Sequence, residues 1–137
     1  MIEVFLSKPI PTTFFDMLPL PIAIVEHAED TLNHAIVYLN NSFKNIIGWS
    51  LEEVPDKEQW WQKAYPDPHY QKVVENLWEL SMESIEENND SFVLVTVNIV
   101  TKHNGTKRFK VYTELKTVLM DGYYVVAFEP LDDLSAQ

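Results

Sequence analysis

Residues 38–53, YLNNSFKNIIGWSLEE, decide how this chain is read. The residues that lead into them, Ala35 to Leu39, form an apolar run that predicts a strand. The run ends at Asn40 and Asn41, whose side chains can accept the orphan backbone N–H bonds at a helix start. Phe43, Ile46 and Ile47 follow at i, i+3 and i+4, one face of a short helix. Gly48 supplies the left-handed residue that stops it. Ser50 and Glu53 stand at capping-box spacing and predict a second helix, with Leu51 and Val54 pointing inward. The local order is strand, two-turn helix, sharp stop, second helix.

Around this stretch lie 137 residues, enough for one domain with a real core. With 46% hydrophobic residues the composition is that of a folded globule. The net charge of −11 would repel a phosphate backbone, which argues against nucleic-acid binding, and it disfavours anionic membrane surfaces. The absence of Cys excludes disulfides, thiolate metal sites and a Cys nucleophile, and fits a reducing cytoplasm. Met1 to Lys8 lacks the apolar core of a signal peptide, and no apolar run approaches membrane-spanning length, so no direct membrane insertion is expected.

Taken in order, residues 1–11 read as an N-terminal arm broken by Pro9 and Pro11. Thr12 or Thr13 could cap a short helix, Phe14 to Leu18, which Pro19 ends. Phe14, Phe15 and Leu18 are too apolar for free solvent and should cover a sheet edge or a second copy of the chain. Pro21 to His27 and Ala35 to Leu39 are the first two strands. Residues 55–67 are dense in aromatics. Asp67 then caps a long helix with Pro68 in its first position, running to about Asn88. Tyr70, Val73, Val74, Leu77, Trp78, Ser81 and Ile85 make its apolar stripe.

From Ser91 the period changes to two. Phe92 to Lys102, Lys107 to Leu119 and Tyr123 to Glu129 predict three strands, joined at Asn104-Gly105 and Asp121-Gly122. A three-residue loop, His103 to Gly105, sets Val93, Val95, Val97 and Ile99 opposite Leu115, Thr113, Val111 and Phe109. Burial favours that register over a two-residue loop, because a one-residue slip flips every side chain. A two-residue Asp121-Gly122 loop puts Tyr124, Val126 and Phe128 on the same inner face. The fold class is α+β: a five-stranded antiparallel sheet with short helices and one long helix packed on its one buried face.

The pattern Asn-x-x-Phe-x-x-x-x-Gly-Trp-Ser-x-Glu-Glu resembles the segment after the second strand of PAS sensor domains. Leu-Pro-x-Pro-Ile-Ala-Ile-Val (18–25), Trp-Trp-x-x-Ala-Tyr-Pro-Asp-Pro (60–68) and Lys-His-Asn-Gly-Thr-Lys-Arg (102–108) extend the likeness over residues 14–130. It implies one PAS-like domain at 12–130, with 131–137 as a tail or the start of a linker to an output domain. The acidic signature that usually follows the last PAS strand has only a loose echo in Leu131-Asp132-Asp133-Leu134. PAS cavities hold haem, flavin, organic acids or nothing, so the resemblance leaves the ligand open.

Trp60, Trp61, Tyr65, Tyr70 and Trp78 line a pocket or simply fill the core. Trp61 and Trp78 suit the core better, and Tyr70 suits the lining, because a buried hydroxyl needs a partner. Asn41 and Thr113 are the polar groups expected nearest the cavity. Asn41 otherwise serves as a cap and Thr113 as a small spacer. The ligand-pocket candidates are thus Asn41, Trp60, Tyr65, Tyr70 and Thr113. Leu94, Val100, Val118, Val125 and Ala127 make the outer sheet face partly apolar. Phe14, Phe15, Leu94 and Val125 are therefore candidates for a homodimer surface.

His69 reads as an exposed first-turn residue, which argues against haem, and His27, His34 and His103 show no metal-ligand spacing. Without Cys no covalent flavin adduct can form. Glu52/Glu53, Glu86/Glu87 and Asp132/Asp133 are neighbours on solvated elements, whereas a catalytic pair converges from different elements. No nucleophile elbow, phosphate loop or zinc-protease motif occurs, and no catalytic residue is assigned.

The expectation is a bacterial sensory domain that binds a small molecule and regulates an output domain, in cis or on a partner protein. A histidine kinase or diguanylate cyclase is the context the resemblance implies. A ligand-free dimerisation module is the second reading. A cone-shaped isomerase-like enzyme is the third, and it would need a buried carboxylate or His facing the cavity, which no strand-face residue supplies.

Overall fold

Ile-Ala-Ile-Val at residues 22–25 has no polar alternation, and the fold explains why. A computed structural model describes residues 10–88, 92–115 and 120–131. In it β1 (Ile22–Glu26) is buried on both faces. Ala23 and Val25 point into the main core, while Ile22 and Ile24 enter a second cluster on the opposite face. That second cluster is closed by Phe15, Leu18 and Leu20, from α1 (Thr12–Asp16) and the segment behind it. The sheet therefore has more than the one buried face expected. Thr12 is the first helical residue and not the cap, since Pro11 holds the cap position without a side-chain bond.

β1 pairs antiparallel with β2 (Ile36–Leu39) on one side and β5 (Tyr123–Pro130) on the other. β4 (Thr106–Glu114) and β3 (Phe92–Val100) complete a five-stranded sheet in the order β2-β1-β5-β4-β3. Val93, Val95, Val97 and Ile99 share the inner face with Phe109, Val111, Tyr124 and Phe128, as the alternation requires.

The β3–β4 register differs from expectation by one step along the loop. Val93 lies opposite Thr113, Val95 opposite Val111 and Val97 opposite Phe109. The inner face is unchanged, because the slip is an even number of residues in the pairing sum. Thr101 causes it. Its N–H and its hydroxyl both donate to the Gly105 carbonyl, and its Oγ1 accepts the Asn104 N–H at 2.9 Å. The three-residue loop is thus 102–104. Gly105 is left-handed with φ +71°, as the turn demands. β4 ends at Glu114, where its own carboxylate replaces the ladder by accepting the Val125 N–H at 3.1 Å. Met120 and Tyr123 bridge across the two-residue Asp121-Gly122 turn as expected.

Three helices cover the inner face. α2 (Asn41–Ile46) is capped by Asn40, whose side chain accepts the Phe43 N–H. Gly48 ends this segment at φ +91°. Ser50 and Glu53 do form the reciprocal capping pair, yet only a turn follows, because Pro55 comes before a second helical turn can close. Val54 is fully buried there, while Leu51 faces solvent. α3 (Lys57–Ala64), capped by Asp56, occupies the aromatic stretch that showed no helix assignment in the sequence. α4 (Pro68–Asn88) is the long helix, opened by Asp67, and it packs on β3. Val74 is its buried contact, with Tyr70, Leu77, Trp78 and Ser81 half-buried, while Val73 faces outward.

The N-terminal arm up to residue 9, Val118, and the tail beyond Leu131 lie outside the described residues. So do the side chains of Ile85, Glu86 and Glu87.

Candidate functional site

Large side chains that lean apart leave room between the inner sheet face, α3 and α4. The result is a cavity of about 750 Å³, within the range of sites that hold drug-sized molecules. Its floor is Ala23, Val25, Val95, Val111, Thr113 and Phe128 from the strands. Its walls include Phe43, Trp60, Trp61, Tyr65, Val74 and Trp78. Phe43, Trp60 and Phe128 form a three-ring cluster with centroids 5.4–5.8 Å apart. Such tilted and edge contacts are favoured arrangements for packed aromatic rings.

α3 shapes the wall through spacing. Lys57, Trp60, Trp61 and Ala64 fall at i, i+3, i+4 and i+7, one face of a helix. Ala64 is buried, and the other three line the cavity. The Lys57 N–H donates to the His34 carbonyl at 3.0 Å, which ties the start of α3 to the β1–β2 connection.

That end of the cavity is polar. His27, His34, Lys57 and Tyr124 all line it. The His27 and His34 rings stand 5.2 Å apart. His34 Nε2 lies 3.0 Å from the Ala28 carbonyl and Nδ1 lies 2.8 Å from the Tyr124 hydroxyl. A carbonyl only accepts, so Nε2 carries a proton, and in the neutral ring Tyr124 donates to Nδ1. Burial pushes the Tyr124 hydroxyl up to about 12. Burial also raises the Tyr65 hydroxyl well above its ordinary value. Lys57 moves the other way: desolvation lowers its ammonium from the usual 10.5. The rim on α4 carries Lys72, Glu75, Asn76 and Glu79, all exposed.

Of the residues singled out from sequence, Trp60, Tyr65 and Thr113 come together at this cavity, with Trp61 and Trp78 beside them. Asn41 does not. It is exposed on the far side of the cap, where its N–H donates to Asp16 Oδ1. The buried amide is its neighbour Asn40, which lies on the opposite side of the strand from Leu39 and bonds the Phe15 and Leu20 carbonyls and the Ile22 N–H. Tyr70 is also absent from the lining. Its hydroxyl accepts the Asn98 N–H at 2.8 Å, so β3 supplies the partner that a cavity was expected to offer. Phe15 is 3% exposed and belongs to the cluster on β1 within its own chain, with Val125 half-buried against it. Phe15 is therefore not a free dimer surface. Phe14 and Leu94 are exposed, at 51% and 40%.

Lys57 and the His34–Tyr124 pair line the cavity without having been among the candidates from sequence. Asp56 followed by Lys57, Trp60, Trp61 and Ala64 at helical spacing was the signal for the first. The pair joins residues 90 apart and left no sequence signal. His34 lines the cavity from a loop, so an imidazole does reach it, although both ring nitrogens already have protein partners. Among the described residues, no group of three or more His, Cys, Asp or Glu is placed to hold a metal ion. Among them no helix is long and apolar enough to cross a membrane.

No family model matches the chain, and no curated protein matches it significantly. Solved structures do. The Rhodobacter sphaeroides LOV protein superposes at a TM-score of 0.58 with 10% identity, covering 89% of this chain. The present chain spans only 65% of that protein's length. The PAS domain of a protein from Colwellia psychrerythraea gives 0.59 at 10% identity over 87% of this chain and 92% of the other. A domain of a sensory box sensor histidine kinase/response regulator from Geobacter sulfurreducens gives 0.53 at 12% identity, over 85% and 88%. At such identities the likeness is one of fold, and the fold is of the PAS/LOV type.

Proposed function

We propose that this PAS-fold domain is the sensory module of a bacterial signal-transduction protein. It takes up a small molecule between α3, α4 and the sheet and passes the signal to an output domain, of histidine kinase or diguanylate cyclase type, in cis or on a partner. The observation that carries this reading is the cavity of about 750 Å³, apolar along its walls and polar at one end. The sensor spans residues 12–130 and works in the cytoplasm, with an arm before it and a tail leading toward the output. A ligand would bias the packing of α3 and α4 on the sheet by its differential affinity for two arrangements, and a second copy meeting at Phe14 and Leu94 would read the change. No catalytic role is assigned to any residue of the domain.

The lining gives a flavin no specific support. The isoalloxazine ring presents a continuous edge of donors and acceptors, whereas the one carboxamide among the lining residues is Asn76, on the exposed rim.

Native and denaturing mass spectrometry of the purified chain, followed by a thermal-shift screen of small molecules, tests the proposal. An extra mass seen only in the native spectrum, or a compound that raises the melting temperature, is expected. Neither result, with a dimer peak, would leave the ligand-free dimerisation module. That second reading draws on the exposed Phe14, Phe92 and Leu94.

A further inference from the structure

Lys57 sits where a cation should not rest without a partner. It is the first residue of α3, lines the cavity beside two indoles, and is half-buried there. Among the described residues no carboxylate pairs with it. Lys102, by contrast, is held 2.8 Å from Glu53, and Lys63 lies over the Trp49 ring at 5.3 Å. A desolvated ammonium without a counter-charge costs stability, and proteins keep such groups where something else satisfies them.

We infer that the cavity takes a small monoanion with an apolar, ring-bearing body, its acid head seated against Lys57 and its body among Trp60, Trp61 and Trp78. The inference rests on the reading of this cavity as a ligand site. The body follows from the apolar lining, which includes three indoles and the Phe43–Phe128 ring pair. The head follows from Lys57 and from what surrounds it. The His34 ring and the Tyr124 hydroxyl are already committed to each other and to the Ala28 carbonyl. Charge on the rim does not cancel Lys57. Glu75 and Glu79 are exposed on α4, with Lys72 among them, and water screens them. A charge at the desolvated end of the cavity is felt far more strongly. One ammonium balances one negative charge, and a second would be withdrawn from water without a counter-charge, in a chain whose net charge is already −11. That selects a monoanion over a dianion or a phosphate ester.

The test uses the whole chain and matched probes in which only the head changes: an arylacetic acid, its primary amide and the corresponding arylethylamine, on phenyl, naphthyl and biphenyl bodies. Tryptophan fluorescence gives the affinities and thermal melting gives an independent shift. The acid of at least one body should bind about tenfold or more tighter than its amide, with the amine weakest, a gap typical of a charge-assisted pair. Lys57→Met should bring acid and amide within about twofold, with the acid losing most, and Lys57→Arg should keep the preference. The wild-type comparison stands even if a variant fails to fold. Equal binding of acid and amide would overturn the monoanion and leave the cavity a ligand site. Preference for the amine would assign the head to Glu75 and Glu79 and overturn it likewise. No binding by any probe would count against both the monoanion and the ligand site.

Discussion

Asn40 concentrates more of the fold in one side chain than any other polar residue described here. Its Oδ1 accepts from the Ile22 and Phe43 N–H groups at 2.8 and 3.0 Å. Its Nδ2 donates to the Phe15 and Leu20 carbonyls at 2.7 and 2.9 Å. One amide thus joins α1, β1 and the start of α2, with no donor or acceptor left over. Asn40→Ala removes a cap and strands buried backbone groups, so a loss of roughly 3 kcal/mol is expected in urea unfolding. Asn40→Asp keeps the cap but aims a carboxylate at two carbonyls, and it should be no less damaging. If Asp restored wild-type stability, the Nδ2 bonds would not matter. Lys57 makes the opposite prediction. Its ammonium has a lowered pKa in the folded state, so between that value and the ordinary 10.5 the unfolded chain binds more protons. Its charge costs stability below this window, and the cost fades as pH rises through it. Lys57→Met should raise the ligand-free melting temperature near neutral pH by about 3 °C, with the gain shrinking in alkali. An unchanged melting temperature would mean that the amine is well solvated.

At the scale of elements, the segment after β2 is held by its neighbour in space as much as by its own sequence. The Lys102 N–H donates to the Ile47 carbonyl, and Lys102 Nζ meets Glu53, so the β3–β4 loop closes over the end of α2. Gly48 is where they pass. A Cβ there would come 3.1 Å from Lys102 Cβ, on a backbone at φ +91°. Gly48→Ala should cost roughly 1–2 kcal/mol by chemical denaturation. Gly105 has the same sign of φ but open space around it, so Gly105→Asn should cost clearly less than Gly48→Asn. Comparable losses at both sites would mean that the contact with Lys102 gives way easily. The bond from Lys102 and the Ser50 N–H hold the Glu53 carboxyl down to about 2. Its folded pKa lies below the ordinary 4.5, so its contribution is present above 4.5 and is lost as pH falls through about 2. The pair is half in water, so this contribution should be small and should vanish in molar salt. A Glu53→Gln variant that loses as much stability in high salt as in low would show that shape, not charge, matters here.

For the whole molecule, helices cover one side of the sheet, and α1 with the segment behind it covers β1 on the other. Phe15→Ala should open the second cluster and cost about 3 kcal/mol. Phe14→Ser, at an exposed site, should leave the melting temperature nearly unchanged while weakening any dimer seen by light scattering. A dimer indifferent to both Phe14 and Leu94 would place its surface elsewhere. Much of this architecture was legible in residue order. The change from a 3.6 to a 2.0 period marked α4 and the three later strands. Gly48, Gly105 and Gly122 marked turns that need positive φ, and the PAS likeness ordered the pieces. These are local signals, carried by residues a few positions apart. Long-range contacts decided the rest. Which of two adjacent Asn residues was buried depended on how β2 turned against β1. Thr101, not the glycine alone, set the register. Phe15 found its partner across the sheet, and Tyr70 found its own on β3. His34 met Tyr124, and Lys57 came to the cavity with no ion pair among the described residues. The sequence by itself determined the elements and their faces, because periodicity and turn chemistry act over one or two turns of chain. Only the tertiary structure decided which polar atoms were already paired and which charge stood without a partner, because pairing is settled by residues far apart in the chain.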